Sequence, residues 1–135
     1  MTLSQAESAI YKRIGQFTGV DKANLRIENQ PLNNGQPFKA PTDKSWCKVF
    51  VQYADSQVVA IGNGPCIRDQ GIISIQCFAP KNKGTLAMTT LCDSWRSFLQ
   101  SFGVSHLEVY KVHAPQSMDD QDFYAKIIRA EFRVN

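Results

Sequence analysis

Two histidines, four scattered cysteines and no glycine-rich loop leave this chain short of the parts that chemistry usually requires. The cysteines, Cys47, Cys66, Cys77 and Cys92, stand 19, 11 and 15 residues apart, so no C-x-x-C pair occurs. Zinc sites draw two ligands from such a tight local pair, and no metal site is expected. No stretch approaches the roughly 20 apolar residues of a membrane span. The first residues, Met1 to Glu7, lack the basic start and apolar run of a secretory signal. Free thiols in a reducing cytosol are the expectation. Charge of one sign is also scarce: 15 basic against 12 acidic residues give a net charge of +3. That falls far short of the basic stripe of a nucleic-acid binder, so sequence-specific nucleic-acid binding is not expected.

Catalytic motifs are missing in the same way. There is no G-x-S-x-G elbow, P-loop or H-E-x-x-H, and Gly62-Asn63-Gly64 fails as G-x-G-x-x-G because Ile67 stands at the third glycine. Asp119, Asp120 and Asp122 form the one tight acidic cluster, but the D-x-D-x-D-G pattern of a calcium loop is absent. Lying between two strand-like segments, they read as turn residues. His106 and His113 are seven apart and would face opposite sides of one strand. Asp93 and Glu108 have no partner identifiable from sequence for acid–base work. Lys81 and Lys83 beside Gly84 resemble a phosphate cradle, yet without glycine-rich spacing they read as a solvated turn. No catalytic, cofactor-binding or metal residue is assigned, no cofactor is expected, and the chain is read as a non-enzyme.

What is present is a folding pattern. At 135 residues, 43% apolar and 20% charged, the chain is read as one globular domain spanning 1–135. Leu3, Ala6, Ile10, Ile14 and Phe17 recur at intervals of 3, 4, 4 and 3, one stripe of a helix. Thr2 or Ser4 can cap its start, and Gly19 follows its end. Met88, Leu91, Trp95, Phe98 and Phe102 make a second stripe, opening after Pro80–Gly84 and stopping at Gly103. Four segments alternate with period two: Trp46–Tyr53, Gly71–Phe78, Leu107–Ala114 and Phe123–Val134. A short strand is expected near Leu25–Glu28. Alternation buries one face and wets the other, which predicts an α+β fold: a mostly antiparallel sheet with two amphipathic helices packed on one face.

Two connections are over-long. Asn29–Ser45 is dense in loop formers, among them Pro31, Asn33-Asn34-Gly35, Pro37 and Pro41. Asp55–Asp69 joins two long strands where a plain hairpin needs about two to five residues. Either its strands continue into a projecting arm or it is a loop that a partner orders. Its Val58-Val59-Ala60-Ile61 run is apolar, and such a tip on a monomer is an interaction site or an aggregation hazard. Val58, Val59 and Ile61, with Asn34 and Phe38 of the other connection, are therefore the candidate protein–protein interface.

The order of these elements resembles a known family. Trp46 opens a strand after a proline-containing loop, and Arg68-Asp69-Gln70-Gly71 leads into Ile72-Ile73-Ser74-Ile75-Gln76-Cys77-Phe78-Ala79-Pro80. Lys83-Gly84 and an amphipathic helix follow, then Asp122-Phe123-Tyr124 and a strand through Phe132. This order, over roughly residues 5 to 133, is similar to that of the tail-terminator-like (tail completion, minor tail) proteins of long-tailed phages and prophages. The resemblance implies a structural protein that caps the tail tube as an oligomeric ring, a hexamer, and prepares it for head joining. The partners implied are further copies of the chain, the tail tube protein and the head–tail connector, with no membrane partner. A head–tail connector (neck) protein is the alternative, and a small ligand-binding domain or enzyme a more distant one. Its implied places are the bacterial host cytoplasm during assembly and then the virion tail. No residue-level site is carried over from the family.

Overall fold

The computed structural model describes residues 1–31, 35–54, 57–60 and 66–135, with 57–60, 66 and 67 described by backbone alone. Helix α1 spans Leu3–Ile14 and opens on a capping box: the Gln5 N–H donates to Thr2 Oγ1 and the Thr2 N–H donates to Gln5 Oε1. Its buried stripe is Ala6, Ile10 and Ile14. The helix stops at Ile14, so Phe17 leaves it and stacks on Trp95, ring centroids 3.6 Å apart. Gly19 is not the cap. A Cβ there would stand 2.3 Å from the Phe17 ring, so the glycine makes room for that stack.

Strand β1 (Leu25–Ile27) runs parallel to β2 (Trp46–Tyr53), while β3 (Gln57–Ala60) and β4 (Cys66–Ala79) continue antiparallel from it. Helix α2 (Leu86–Leu99) follows, then β5 (Gly103–Val104), β6 (Leu107–Val112), β7 (Gln116–Met118) and β8 (Tyr124–Val134). Among the described residues the sheet order is β1-β2-β4-β8-β6-β5, with β3 beside β4 and β7 beside β8. One parallel pair among antiparallel ones bears out the expected fold class.

Both helices pack on one face. Cys47, Val49 and Val51 of β2, Ile73, Ile75 and Cys77 of β4, and Ile128, Ala130, Phe132 and Val134 of β8 share a core with the helical stripes. Helix α2 buries Met88, Leu91, Cys92, Trp95 and Leu99. It ends sooner than the stripe suggests, because Ser101 takes φ +63 and swings Phe102 off the helix. The two helices are tied by Arg13. Its Nη2 donates to the Phe98 carbonyl at 3.0 Å, and its guanidinium lies 3.9 Å over the Phe98 ring, a cation placed at a helix C-terminus.

Strand β4 is longer than its alternation suggested. Gly71 reads as a strand start, yet the strand runs straight through it from Cys66. A Cβ on Gly71 would meet the Phe132 ring at 2.4 Å and the Gln52 carbonyl at 2.5 Å. The glycine is there because a neighbouring strand's aromatic ring fills its side-chain space.

Candidate functional site

Strands β2 and β4 pair from Trp46–Phe78 to Tyr53–Gly71, and the Ala54 N–H still bonds the Gln70 carbonyl at 2.9 Å. Beyond that point β3 takes over, with Gln57 opposite Arg68 and Val58 opposite Ile67. On the other flank of β4, strand β8 ends: its last pair is Asp69 with Val134. Residues 57–60 and 66–68 therefore form a two-stranded ribbon that outruns the sheet. Of the two forms expected for the long connection, the backbone takes the arm. The ribbon base is fixed by side chains: Tyr53 Oη donates to Glu7 Oε1 at 2.7 Å, and Arg68 Nε donates to Asn135 Oδ1 at 2.6 Å. Burial and the Glu7 carboxylate push the Tyr53 phenol well above the usual tyrosine value.

The candidate interface residues do not gather in one place. Val58 and Val59 lie on strand β3, known by its backbone. Ile61 and Asn34 lie outside the described residues. Phe38 is half-buried against Trp46 at the other end of the sheet, where Trp46, Phe78 and Ala125 form a second cluster with Met118 and Phe123. Trp46 stacks on Phe78 at 4.1 Å on the face away from the helices. Sequence reading missed this satellite; its signal was the aromatic density around Trp46, Phe78 and Phe123.

The helix-free face carries the polar chemistry. His113 Nε2 lies 2.7 Å from Glu131 Oε2, Tyr110 Oη donates to Glu131 Oε1 at 3.3 Å, and Arg133 pairs with Glu108. Glu108 and Tyr110 on β6 thus meet Arg133 and Glu131 on β8, and His113 joins them from just past the end of β6, the usual way a wet sheet face is stitched. His113 also borders a hollow of about 330 Å³ lined by Ala114, Gln116, Ile127 and Arg129. No hydroxyl or thiol among the described residues is hydrogen-bonded to the His113 ring, and the pair links β8 to the segment that follows β6. His106 is exposed, and its carbonyl accepts from the Asn135 N–H.

The remaining chemical candidates resolve as structure. Asp120 Oδ1 accepts from the N–H groups of Asp122 and Phe123 at 2.9 Å each, the side-chain turn expected of the acidic cluster. Lys81 Nζ donates to the Gln121 carbonyl at 2.6 Å, and Gly84 takes φ +78 to turn the chain into α2. A cleft of about 410 Å³ opens between these two turns, bordered by Thr85, Met118 and Phe123. Cys47, Cys77 and Cys92 are buried free thiols. Cys47 and Cys77 stand 3.8 Å apart, and the Trp95 indole N–H donates to Cys47 Sγ at 3.3 Å. Bonds to Cys47 and Cys92, with burial, push the Cys77 thiol far up and hold it protonated. Among the described residues no group of three metal-ligating side chains is present.

No family model and no curated protein matches the chain. A solved structure bearing no functional description superposes on 100% of this chain and 96% of its own, with a TM-score of 0.72 at 12% identity. At that identity the likeness speaks for the fold alone.

Proposed function

We propose that this chain is a structural protein of phage or prophage tail assembly, which caps the tail tube as an oligomeric ring and prepares it for head joining. The observation that carries the reading is the ribbon of residues 57–60 and 66–68, which among the described residues leaves the sheet without a third strand. A globular domain gains nothing in its own core from such an extension, whereas a ring needs each copy to offer one patch to a different patch on the next. Contacts that are weak singly become strong when a tube end presents several sites together. The order of elements that resembles the tail terminators covers roughly residues 5 to 133, so the role is proposed for the whole domain. Its partners are further copies of itself, the tube protein and the head–tail connector, met in the host cytoplasm and retained in the virion tail.

The test is docking to tail tubes by electron microscopy, comparing wild type with a Val59→Asp, Ile61→Asp variant. The variant is expected to keep wild-type stability within about 0.5 kcal/mol, as surface changes do, and to lose tube docking. A variant that unfolds would place the ribbon in the core, and one that docks normally removes it from the interface. Retention of wild type on connector rings and not on tube ends selects the neck role instead.

A further inference from the structure

The sheet's two lateral borders are built differently. Along β6 and β7 every common obstacle to strand addition is present. Strand β5 covers Leu107 and Glu108, and the Val109 N–H donates to the Phe102 carbonyl at 2.8 Å. The register then slips between Val109 and Lys111, and Pro115 separates β6 from β7. Bulge, lysine and proline are the usual guards of an edge.

The other border is less guarded past Val49: among the described residues its one irregularity is the register slip between Val58 and Ala60 on β3. Strand β1 covers only Cys47 to Val49, and the Glu28 N–H closes on the Val49 carbonyl at 3.0 Å. Strand β2 continues to Tyr53 uncovered. Val49 faces β1 and Ala54 faces β4, so the alternation of an antiparallel strand turns the N–H and C=O groups of Val51 and Tyr53 outward. Among the described residues no strand lies against them. Strand β3 prolongs this border, since β2 and β3 flank the same side of β4. From Phe50 to Ile67 the sequence holds one charged residue, Asp55, and no lysine.

We propose that this border, Val51–Tyr53 with Gln57–Ala60, pairs antiparallel with the same border of a second copy about a two-fold axis. A row of alternating N–H and C=O groups is its own complement under such a rotation. The chain's other described edges are shorter or more heavily guarded: β1 has three residues in all, and β6–β7 combines a register slip with Lys111 and Pro115. The proposal goes beyond the capping reading. The dimer would sequester this border, the ribbon's β3 included, in free protein and would have to open before a ring is built.

An interface of this length lies well below the area of stable complexes, so half-dissociation near about 100 µM is expected. Sedimentation from about 10 µM to about 1 mM should show a monomer passing to a dimer and no further. Amide exchange at Val51 and Tyr53 should slow as concentration rises. Tyr53→Pro removes an outward N–H without removing a bond to β4, and Val59→Lys places a guard on β3; each should abolish the dimer. A monomer throughout, a dimer that survives Val59→Lys, or slowing along Lys111–Met118 in place of β2 would overturn the proposal. If Tyr53→Pro fails to fold, Val59→Lys alone decides. Tube docking is read separately. Wild type that dimerises yet ignores tubes removes the capping role and leaves the dimer, and wild type that docks yet stays monomeric does the reverse.

Discussion

One sheet here has two faces that follow different rules. On the covered face β2, β4 and β8 contribute Cys47, Val49, Ile73, Ile75, Ile128 and Phe132, all fully buried under the two helices. On the open face the same strands carry Lys48, Gln52, Gln76, Arg129, Glu131 and Arg133, joined by cross-strand pairs. The covered face has its complement within the chain, so the sequence holds both halves of every contact. The open face is stitched by cross-strand pairs, and on the capping proposal the ribbon finds its complement on another copy or on the tail tube. If the division is real, substitutions on the covered face should move stability, and those on the ribbon should move association alone.

The largest effect is expected at Trp95. It is fully buried, stacked on Phe17, in edge contact with Phe98 and donating to Cys47. Trp95→Ala removes the side chain that joins α2, the segment after α1 and strand β2 in one place. A loss of about 3–5 kcal/mol is expected from denaturant unfolding, against a few tenths for a substitution of exposed Leu86. A loss below about 1 kcal/mol would mean that the covered face is not what holds the domain.

The covered face was also the legible one. Period-two alternation placed β2, most of β4 and β8, and the helical stripes named Ala6, Ile10, Ile14, Met88, Leu91 and Trp95 correctly. Phe17 and Phe102 continued the stripes yet lie past the helix ends, because periodicity does not register a backbone that turns at Gly15 or Ser101. The Trp46–Phe78 cluster was missed despite its aromatic density, because it lies on the face that alternation marks as wet. Of the candidate site, loop length marked Asp55–Asp69 as too long for a hairpin but left a projecting arm and a partner-ordered loop both open, because length does not say whether strand pairing continues. Phe38 could not be placed, because its packing on Trp46 depends on how a 17-residue connection folds back, which no local pattern encodes.

A smaller effect should follow from Gly71→Ala, which tests where the covered face gives way to the ribbon. The added methyl would meet the Phe132 ring and the Gln52 carbonyl, and the carbonyl belongs to a strand that cannot withdraw without breaking its ladder. A cost of about 1–3 kcal/mol is expected, typical of overpacking. In amide exchange the loss should appear first in Gln70 to Ile73 and their partners on β8. Neutral behaviour would mean that β2 and β4 already separate at Gly71, with the ribbon starting two residues earlier than the pairing indicates.

The smallest effect has the opposite sign and sits on the open face. Ser74 is almost wholly buried there, between Phe50 and Arg129 across the strands, and its Oγ has no hydrogen-bond partner among the described residues. A buried hydroxyl without a partner costs about 1–3 kcal/mol, part of which is regained when the group is deleted. Ser74→Ala should therefore raise stability by about 1 kcal/mol, seen as an unchanged unfolding slope with a higher midpoint. Loss of stability would show that the hydroxyl has an acceptor in solution. A gain would mark Ser74 as a place where this face gives up stability, and comparing tube docking of Ser74→Ala with wild type then asks whether the hydroxyl serves association. Unchanged docking with the gain in hand would confine the open face's part in assembly to its border and ribbon.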